Sequence, residues 1–320
     1  MQILNENDYQ VFERLVSLNQ ENLLKAMRSF LKKYYNDIVI TSRYIYAIGD
    51  IPICLTAHMD TVFKSPPKNI YYDTKKNVIW SPEGLGADDR AGVFAIIKII
   101  QSGLRPHIML TTDEEWGAIG ASALVKKVKK PFADMKYIIQ LDRRGDDDCV
   151  FYDCDNREFI NYIESFGFTE EIGSFTDISI ICPVWKIAGV NLSIGYRDEH
   201  SVSETFHIIP FLNTISKVIK MLKDADNISG FQYVRRKKTY WDSFNFLNSM
   251  GLKCGKCGTS NYTEYEMIPV VCKDGQTRFY CPDCIVEHVN WCIKCGQPFE
   301  LKSANQVFCP NCQKEEKSNV

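Results

Sequence analysis

Five short stretches of this 320-residue chain carry side chains that can do chemistry together: "HMD" at 58–60, "GADDRAG" at 86–92, "DEE" at 113–115, "LDRRG" at 141–145 and "EHS" at 199–201. Four of them sit just past an apolar, β-rich run. "ICLTA" precedes His58 and Asp60, "HIMLTT" precedes Asp113, Glu114 and Glu115, "YIIQL" precedes Asp142, and "VNLSIG" precedes Tyr196, Arg197 and His200. The fifth opens the apolar run "VFAIIKII". In open α/β sheets ligands bind outside the carboxyl ends of the strands, so the pattern predicts that His58, Asp89, Glu115, Asp142 and His200 meet at one sheet edge.

Two imidazoles and three carboxylates at one edge make a definite chemical demand. The carboxylates repel unless compensated, and two divalent cations sharing a bridging carboxylate are the simplest remedy. Each element alone is weak. His-x-Asp arises by chance, "DEE" reads as an exposed acidic turn, and Asp142 alone reads as a loop cap. Their joint occurrence at successive strand ends carries the argument. The doubled aspartate fits it, since one carboxylate at a helix start is ordinary capping whereas two invite a cation.

In this order the residues resemble the co-catalytic dizinc exopeptidases, a group that includes bacterial dizinc aminopeptidases, peptidase T and glutamyl aminopeptidases. The likeness rests on "HMD", "GADDRAG", "DEEWGAIGA", "LDRRG" and "EHSVSE" and spans about residues 38 to 205. It implies that Asp89 bridges two metals, with His58 and Asp142 completing one site and Glu115 and His200 the other. It implies a cis peptide after the bridging residue, at Asp89–Arg90, and a general-base role for Glu114. Zinc is the metal the resemblance implies, with cobalt or manganese as alternatives.

Supporting roles follow from position. Asp60, two residues beyond His58 on an extended segment, returns to the same side and can accept the other ring N–H. Tyr196 is a candidate oxyanion donor or a structural tyrosine. An aminopeptidase needs an acidic group for the α-ammonium and a carboxypeptidase a cation for the terminal carboxylate. Asp198 and Glu199 offer the first, Arg143 and Arg144 the second, and Arg143, Tyr196 and Arg197 are the candidate substrate contacts.

The elements that must position these residues are readable from periodicity. Apolar residues at three- and four-residue spacing predict an amphipathic helix over 8–33, followed by strands "IVITSRYIYAI" and "IPICLTA" and a hairpin at "IYYDTKKNVIW". Helices are then expected at 89–101, 118–129, 156–166, 176–182 and 203–222, alternating with strands. The alternation predicts an α/β domain over residues 1–225 with a mostly parallel central sheet flanked by helices. Residues 226–250, with the basic cluster Arg235–Lys238, read as a linker.

Of thirteen cysteines, eight form C-x-x-C pairs in residues 251–320: Cys254/Cys257, Cys281/Cys284, Cys292/Cys295 and Cys309/Cys312. Each pair supplies two thiolates on one knuckle, and two knuckles complete a tetrahedral site, so two structural zinc ions are expected in a zinc-ribbon-type module. Sequential pairing and an interleaved cross-brace are both open, and Cys272 and His288 are spare ligands.

Composition narrows the partners. Lys plus Arg is 38 against 40 Asp plus Glu, a formal charge of −2, and the tail has eight of each sign. A nucleic-acid module is not expected. No stretch reads as a secretory leader or a membrane span, so the expected compartment is the cytoplasm. The expected activity is metal-dependent removal of N-terminal residues from peptides, with a protein partner as a further possibility for the zinc module. The alternatives are a carboxypeptidase, a dipeptidase or an N-acyl amino acid amidohydrolase using the same centre, or a zinc-ribbon adaptor with a vestigial peptidase domain.

Overall fold

The structure is a computed structural model. It describes residues 4–129, 131, 134–236, 253–259, 267–274, 276–295, 297–301, 306–310 and 312–313. The chain divides into two compact units, Met1–Arg236 and Lys237–Val320.

In the first unit the elements run α1 (Glu6–Val16), α2 (Gln20–Leu31), β1 (Asp37–Ile40), β2 (Tyr44–Ile48), β3 (Ile51–His58), β4 (Tyr71–Asp73) and β5 (Val78–Trp80). They continue α3 (Ala87–Gln101), β6 (Pro106–Thr111), α4 (Ile119–Lys127), β7 (Tyr137–Arg143), β8 (Asp148–Val150) and α5 (Arg157–Glu164). The last are β9 (Thr169–Glu170), α6 (Asp177–Trp185), β10 (Gly189–Ser193), β11 (Tyr196–Arg197), β12 (Thr205–His207) and α7 (Ile208–Lys223).

The main sheet has eight strands in the order β1-β2-β6-β3-β7-β10-β8-β9. Its middle four, β6, β3, β7 and β10, are mutually parallel. The period of two along these strands sorts side chains between two cores. Ile53, Leu55 and Ala57 of β3 and Ile139 and Leu141 of β7 join the larger cluster, with Phe12, Phe94 and Phe211 of α1, α3 and α7. Cys54, Met109 and Ile138 point the other way, against Leu124 of α4 and Ile181 and Trp185 of α6. Burial on both faces explains why these strands read as continuous apolar runs. A smaller antiparallel sheet, β11-β12-β5-β4, joins the hairpin between the histidine motif and α3 to two short strands that follow β10.

Three expectations are corrected here. The segment 8–33 is two helices, because Asn19 accepts the Asn22 N–H at 2.9 Å and so caps a fresh helix after α1. Residues 205–207, expected in the last helix, form β12, where Phe206 pairs with Ile79, and α7 begins at Ile208. Residues 228–236 of the expected linker pack on the first unit: Phe231 is buried in the larger core, and the Arg236 N–H donates to the Asp153 carbonyl. The rest of that segment, with Lys237 and Lys238, lies outside the described residues.

In the second unit four strands, β13 (Ile268–Val271), β14 (Thr277–Tyr280), β15 (Val289–Trp291) and β16 (Pro298–Glu300), pair in the order β14-β13-β16-β15, and a helix spans Pro282–His288. Two separate small cores each gather around buried cysteines. Neither core is a large apolar interior, as expected of so small a module.

Candidate metal centre

Because β3, β6, β7 and β10 run parallel, their carboxyl ends share one edge, and each delivers part of the centre. His58 ends β3, the loop after β6 carries Asp113–Glu115, Asp142 lies at the end of β7, and the turns after β10 lead to Tyr196 and His200.

The adjacent aspartates take different places from those the sequence suggested. Asp88 lies between the two histidines: its Oδ1 is 3.1 Å from His58 Nε2 and its Oδ2 3.1 Å from His200 Nε2. His58 Nε2 is also 3.4 Å from Asp142 Oδ1, and His200 Nε2 is 2.8 Å from Glu115 Oε1. Asp89, expected to bridge, instead turns to the backbone. It accepts the His58 N–H at 3.2 Å and the Gly92 N–H at 2.9 Å. Asp88 and Asp89 have non-helical backbone angles, so the regular helix starts at Arg90, and Asp89 is its N-cap with a bond to the third helical N–H. The cis peptide joins Asp88 to Asp89, not Asp89 to Arg90. The sequence signal for this exchange was a matter of spacing: Asp89 stands three residues before Gly92, the distance from a cap side chain to the third helical N–H.

Gly92 makes the capping possible. A Cβ there would collide with the Leu141 carbonyl oxygen and with both Asp89 carboxylate oxygens, so α3 reaches β7 this closely only through glycine.

A ring of buried polar groups aims the cluster, and sequence reasoning missed most of it. Asp60 Oδ1 meets His58 Nδ1 at 3.2 Å, while its two oxygens accept the Glu114 and Glu115 N–H groups at 3.0 Å each. Glu204 accepts the Gly86 and Asp88 N–H groups. Asp142 Oδ2 accepts from Gln140 at 2.8 Å and Thr176 at 3.0 Å, and the Asn191 carboxamide accepts the Asp142 N–H at 2.9 Å. These partners lie far apart along the chain, and nothing in local sequence marks them.

Of the candidate substrate contacts, the buried Tyr196 donates its hydroxyl to Asp142 Oδ1 at 3.2 Å. Arg197 is turned to Asp146, with both contacts at 2.9 Å. Arg143 is half-buried, and its Nε has no hydrogen-bond partner among the described residues.

The electrostatics express crowded negative charge. Burial, joined by Asp142, Asp177 and Glu115, pushes Glu114 up to about 9 despite the pull of His58. Burial and the neighbouring Asp88 raise Asp142 to about 6. Burial opposes ionisation of Asp88 too, but the hydrogen bonds from His200 and His58 outweigh it and hold its carboxyl well below the usual range. Hydrogen bonds to Asp88 and Glu115 lift His200 to about 10. Protonation of both histidines is thus favoured by the carboxylates around them.

The donor set fits divalent cations. His58, Asp88 and Asp142 offer one group of ligand atoms all within 4.8 Å of one another, and Asp88, Glu115 and His200 offer a second that shares Asp88. A third overlapping group is His58, Glu114 and Glu115. Beside His200 opens a cleft of about 630 Å³ lined by Arg144, Asp146, Asp148, Arg197, Asp198 and Glu199 among others.

In the second unit the knuckles group sequentially, Cys254, Cys257, Cys281 and Cys284 in one cluster and Cys292, Cys295, Cys309 and Cys312 in the other. Cys257 Sγ lies 3.7 Å from Cys281 Sγ, and Cys295 Sγ 3.8 Å from Cys309 Sγ. Each set fits a four-thiolate site of zinc-ribbon type. Cys272 belongs to neither and packs against the Tyr280 hydroxyl, while His288 lies 3.5 Å from Glu287.

Among solved structures, the chain is similar to the aminopeptidase PepT of Bacillus cereus, with a TM-score of 0.55 and 14% identity over 70% of this chain and 99% of that one. The two share a fold, a large central sheet flanked by helices. A tripeptidase from Staphylococcus aureus matches with a TM-score of 0.56 and 15% identity over 71% of this chain and 100% of its own. A TET aminopeptidase from a marine sediment thaumarchaeon matches with a TM-score of 0.52 and 13% identity over 68% and 97%. No protein-family model and no curated relative matches. No described helix is long and apolar enough to cross a membrane.

Proposed function

We propose that the protein is a metal-dependent aminopeptidase with a dinuclear centre in which Asp88 is the shared ligand. The observation that carries this reading is the place of Asp88, one carboxylate oxygen on each histidine at 3.1 Å, with Asp142 and Glu115 completing the two donor groups. His58, Asp88 and Asp142 would hold one ion, and Asp88, Glu115 and His200 the other. The complete set speaks against a vestigial site, and the fold shared with peptidases speaks for peptide substrates.

When bound, a pair of divalent cations supplies Lewis acidity and lowers the pKa of water towards neutrality. The residues do the rest. Asp60 fixes the tautomer and direction of His58 and holds the backbone of Glu114 and Glu115 through its two oxygens. Glu114, left out of both donor groups that share Asp88, takes a proton from the attacking water and passes it to the leaving amine. Cations held by Asp142 and Glu115 would offset two of the charges that raise its pKa.

The cleft favours an amino terminus over a carboxyl terminus. Arg144 is already paired with Glu199 at 2.8 Å and Arg197 with Asp146, so these guanidiniums are engaged by carboxylates, while Asp148 and Asp198 add further negative charge. An α-ammonium is the better guest. In the second unit we assign zinc to both four-cysteine clusters, with a role in folding that module.

The test is hydrolysis of a mixed peptide library with zinc, cobalt or manganese, read by mass spectrometry, with Glu114→Gln as control. Stepwise N-terminal shortening that falls roughly 100-fold or more in the variant is expected. Trimming from the carboxyl end, or cleavage only of N-acylated substrates, overturns the aminopeptidase assignment.

A further inference from the structure

We infer that the turn between α1 and α2 is a brace for the catalytic loops, with Gln20 and Arg90 as its positioning residues. The inference rests on the proposed metallopeptidase centre. Two loops must be held in register there, 58–60 and 113–115, and the Asp60 carboxylate already ties one to the other. Both are also anchored on residues 18–20.

On one side, the Gln20 carboxamide makes a reciprocal pair with Asp113. Its Nε2 donates to Oδ1 at 2.9 Å, and its Oε1 accepts the Asp113 N–H at 2.9 Å. Arg43 donates to the other Asp113 oxygen, and its carbonyl accepts the Thr112 N–H at 3.0 Å. Asp113 has φ 55, a left-handed conformation that a residue with a Cβ rarely adopts. A hydrogen-bonded side chain that fixes this conformation also fixes where the next two residues, Glu114 and Glu115, begin.

On the other side, Arg90 is buried at 3% exposure, and no carboxylate lies within ion-pair distance of it among the described residues. Its guanidinium instead donates to backbone carbonyls: Met59, Asp60 at 3.4 Å, and, from the other terminal nitrogen, Leu18 at 3.0 Å. One side chain thus ties the histidine loop to the same turn that holds Asp113. The Asn19 cap fixes the turn itself. An arginine spent on three carbonyls gains geometry rather than charge pairing, because its planar fork holds several acceptors in fixed directions. Small displacements of ligand-bearing loops are costly to metal affinity and turnover alike.

The experiment uses the full chain. Gln20→Met keeps length and half-buried packing but removes both bonds to Asp113, and Arg90→Lys keeps the charge but not the fork. Cobalt is titrated into the metal-stripped catalytic centre and followed by its visible absorption, and peptide kinetics are measured in parallel. Gln20→Met is expected to weaken the looser cobalt site roughly tenfold, shift its absorption, and lower kcat about tenfold with KM changed less than about twofold. Arg90→Lys should do the same more severely. Unchanged cobalt affinities and spectrum in Gln20→Met overturn the brace, even where the melting temperature falls, since a merely structural role predicts that fall alone. A wild-type protein that binds cobalt yet cleaves no peptide sinks the aminopeptidase reading only, and the cobalt arm still decides the brace.

Discussion

Asp88 and Asp89 are neighbours in sequence with separate employments: Asp88 reaches His58 and His200 at 3.1 Å each, while Asp89 accepts the backbone N–H groups of His58 and Gly92. Their substitution should therefore part cleanly. Asp88→Asn is expected to cost the shared ligand, leaving no more than one catalytic metal by elemental analysis and kcat reduced by roughly 1,000-fold. Asp89→Ala removes a cap and strands two buried N–H groups, so it is expected to lower stability by about 1–3 kcal/mol in urea melts. Equal metal loss in both variants would refute the division of roles.

Gly92→Ala tests the close approach of α3 to β7. The added methyl has the Leu141 carbonyl and the Asp89 carboxylate in its way, and a loss of about 2 kcal/mol by chemical denaturation is expected. Full stability would mean that the helix can withdraw from the sheet without penalty.

The pH dependence of the metal-free protein follows from two raised values. His200 titrates at about 10 rather than 6.5, and Glu114 at about 9 rather than 4.5. A group whose folded pKa is raised contributes stability below its unfolded value and loses it as pH climbs through the folded one. For both groups the slope therefore has one sign, and the metal-free melting temperature should fall steadily from about pH 6 to pH 10. Loading the catalytic centre should flatten that slope and release protons to the buffer, because metal displaces them from the ligands. Calorimetry in two buffers of different ionisation enthalpy reads the release, and a proton count near zero at pH 8 would contradict it.

The thiolate clusters should hold metal far more tightly than the oxygen-rich centre. Mild chelation is expected to abolish activity while leaving two zinc ions per chain, and Cys309→Ser to leave one. A Cys309→Ser protein that retains both tail ions would overturn the sequential grouping of the knuckles.

Much of this arrangement was legible beforehand, for physical reasons that can be named. Strands buried on both faces announce themselves as apolar runs, and parallel strands must end at a common edge, so His58, Glu115, Asp142 and His200 could be brought together on paper. Asp88 could not be told from Asp89 by the same logic, because both precede the same helix; only the cap position separates them. Glu204, Thr176, Gln140 and Asn191 hold the centre through contacts that exist only once distant segments pack. The three-residue β12 was hidden because its one apolar residue, Phe206, merges into the pattern of α7, and its pairing with β5 decides the matter.

The order of strands has a last consequence. β10 is the final strand of the main sheet along the chain, yet it lies inside it, between β7 and β8, and His200 comes after it. The set of donors is incomplete until translation has passed His200 and β10 has slotted into place. Any event that pries β10 out again disperses them. The donor set therefore exists only while the main sheet is complete, so the last strand to be made is also the one that closes the site.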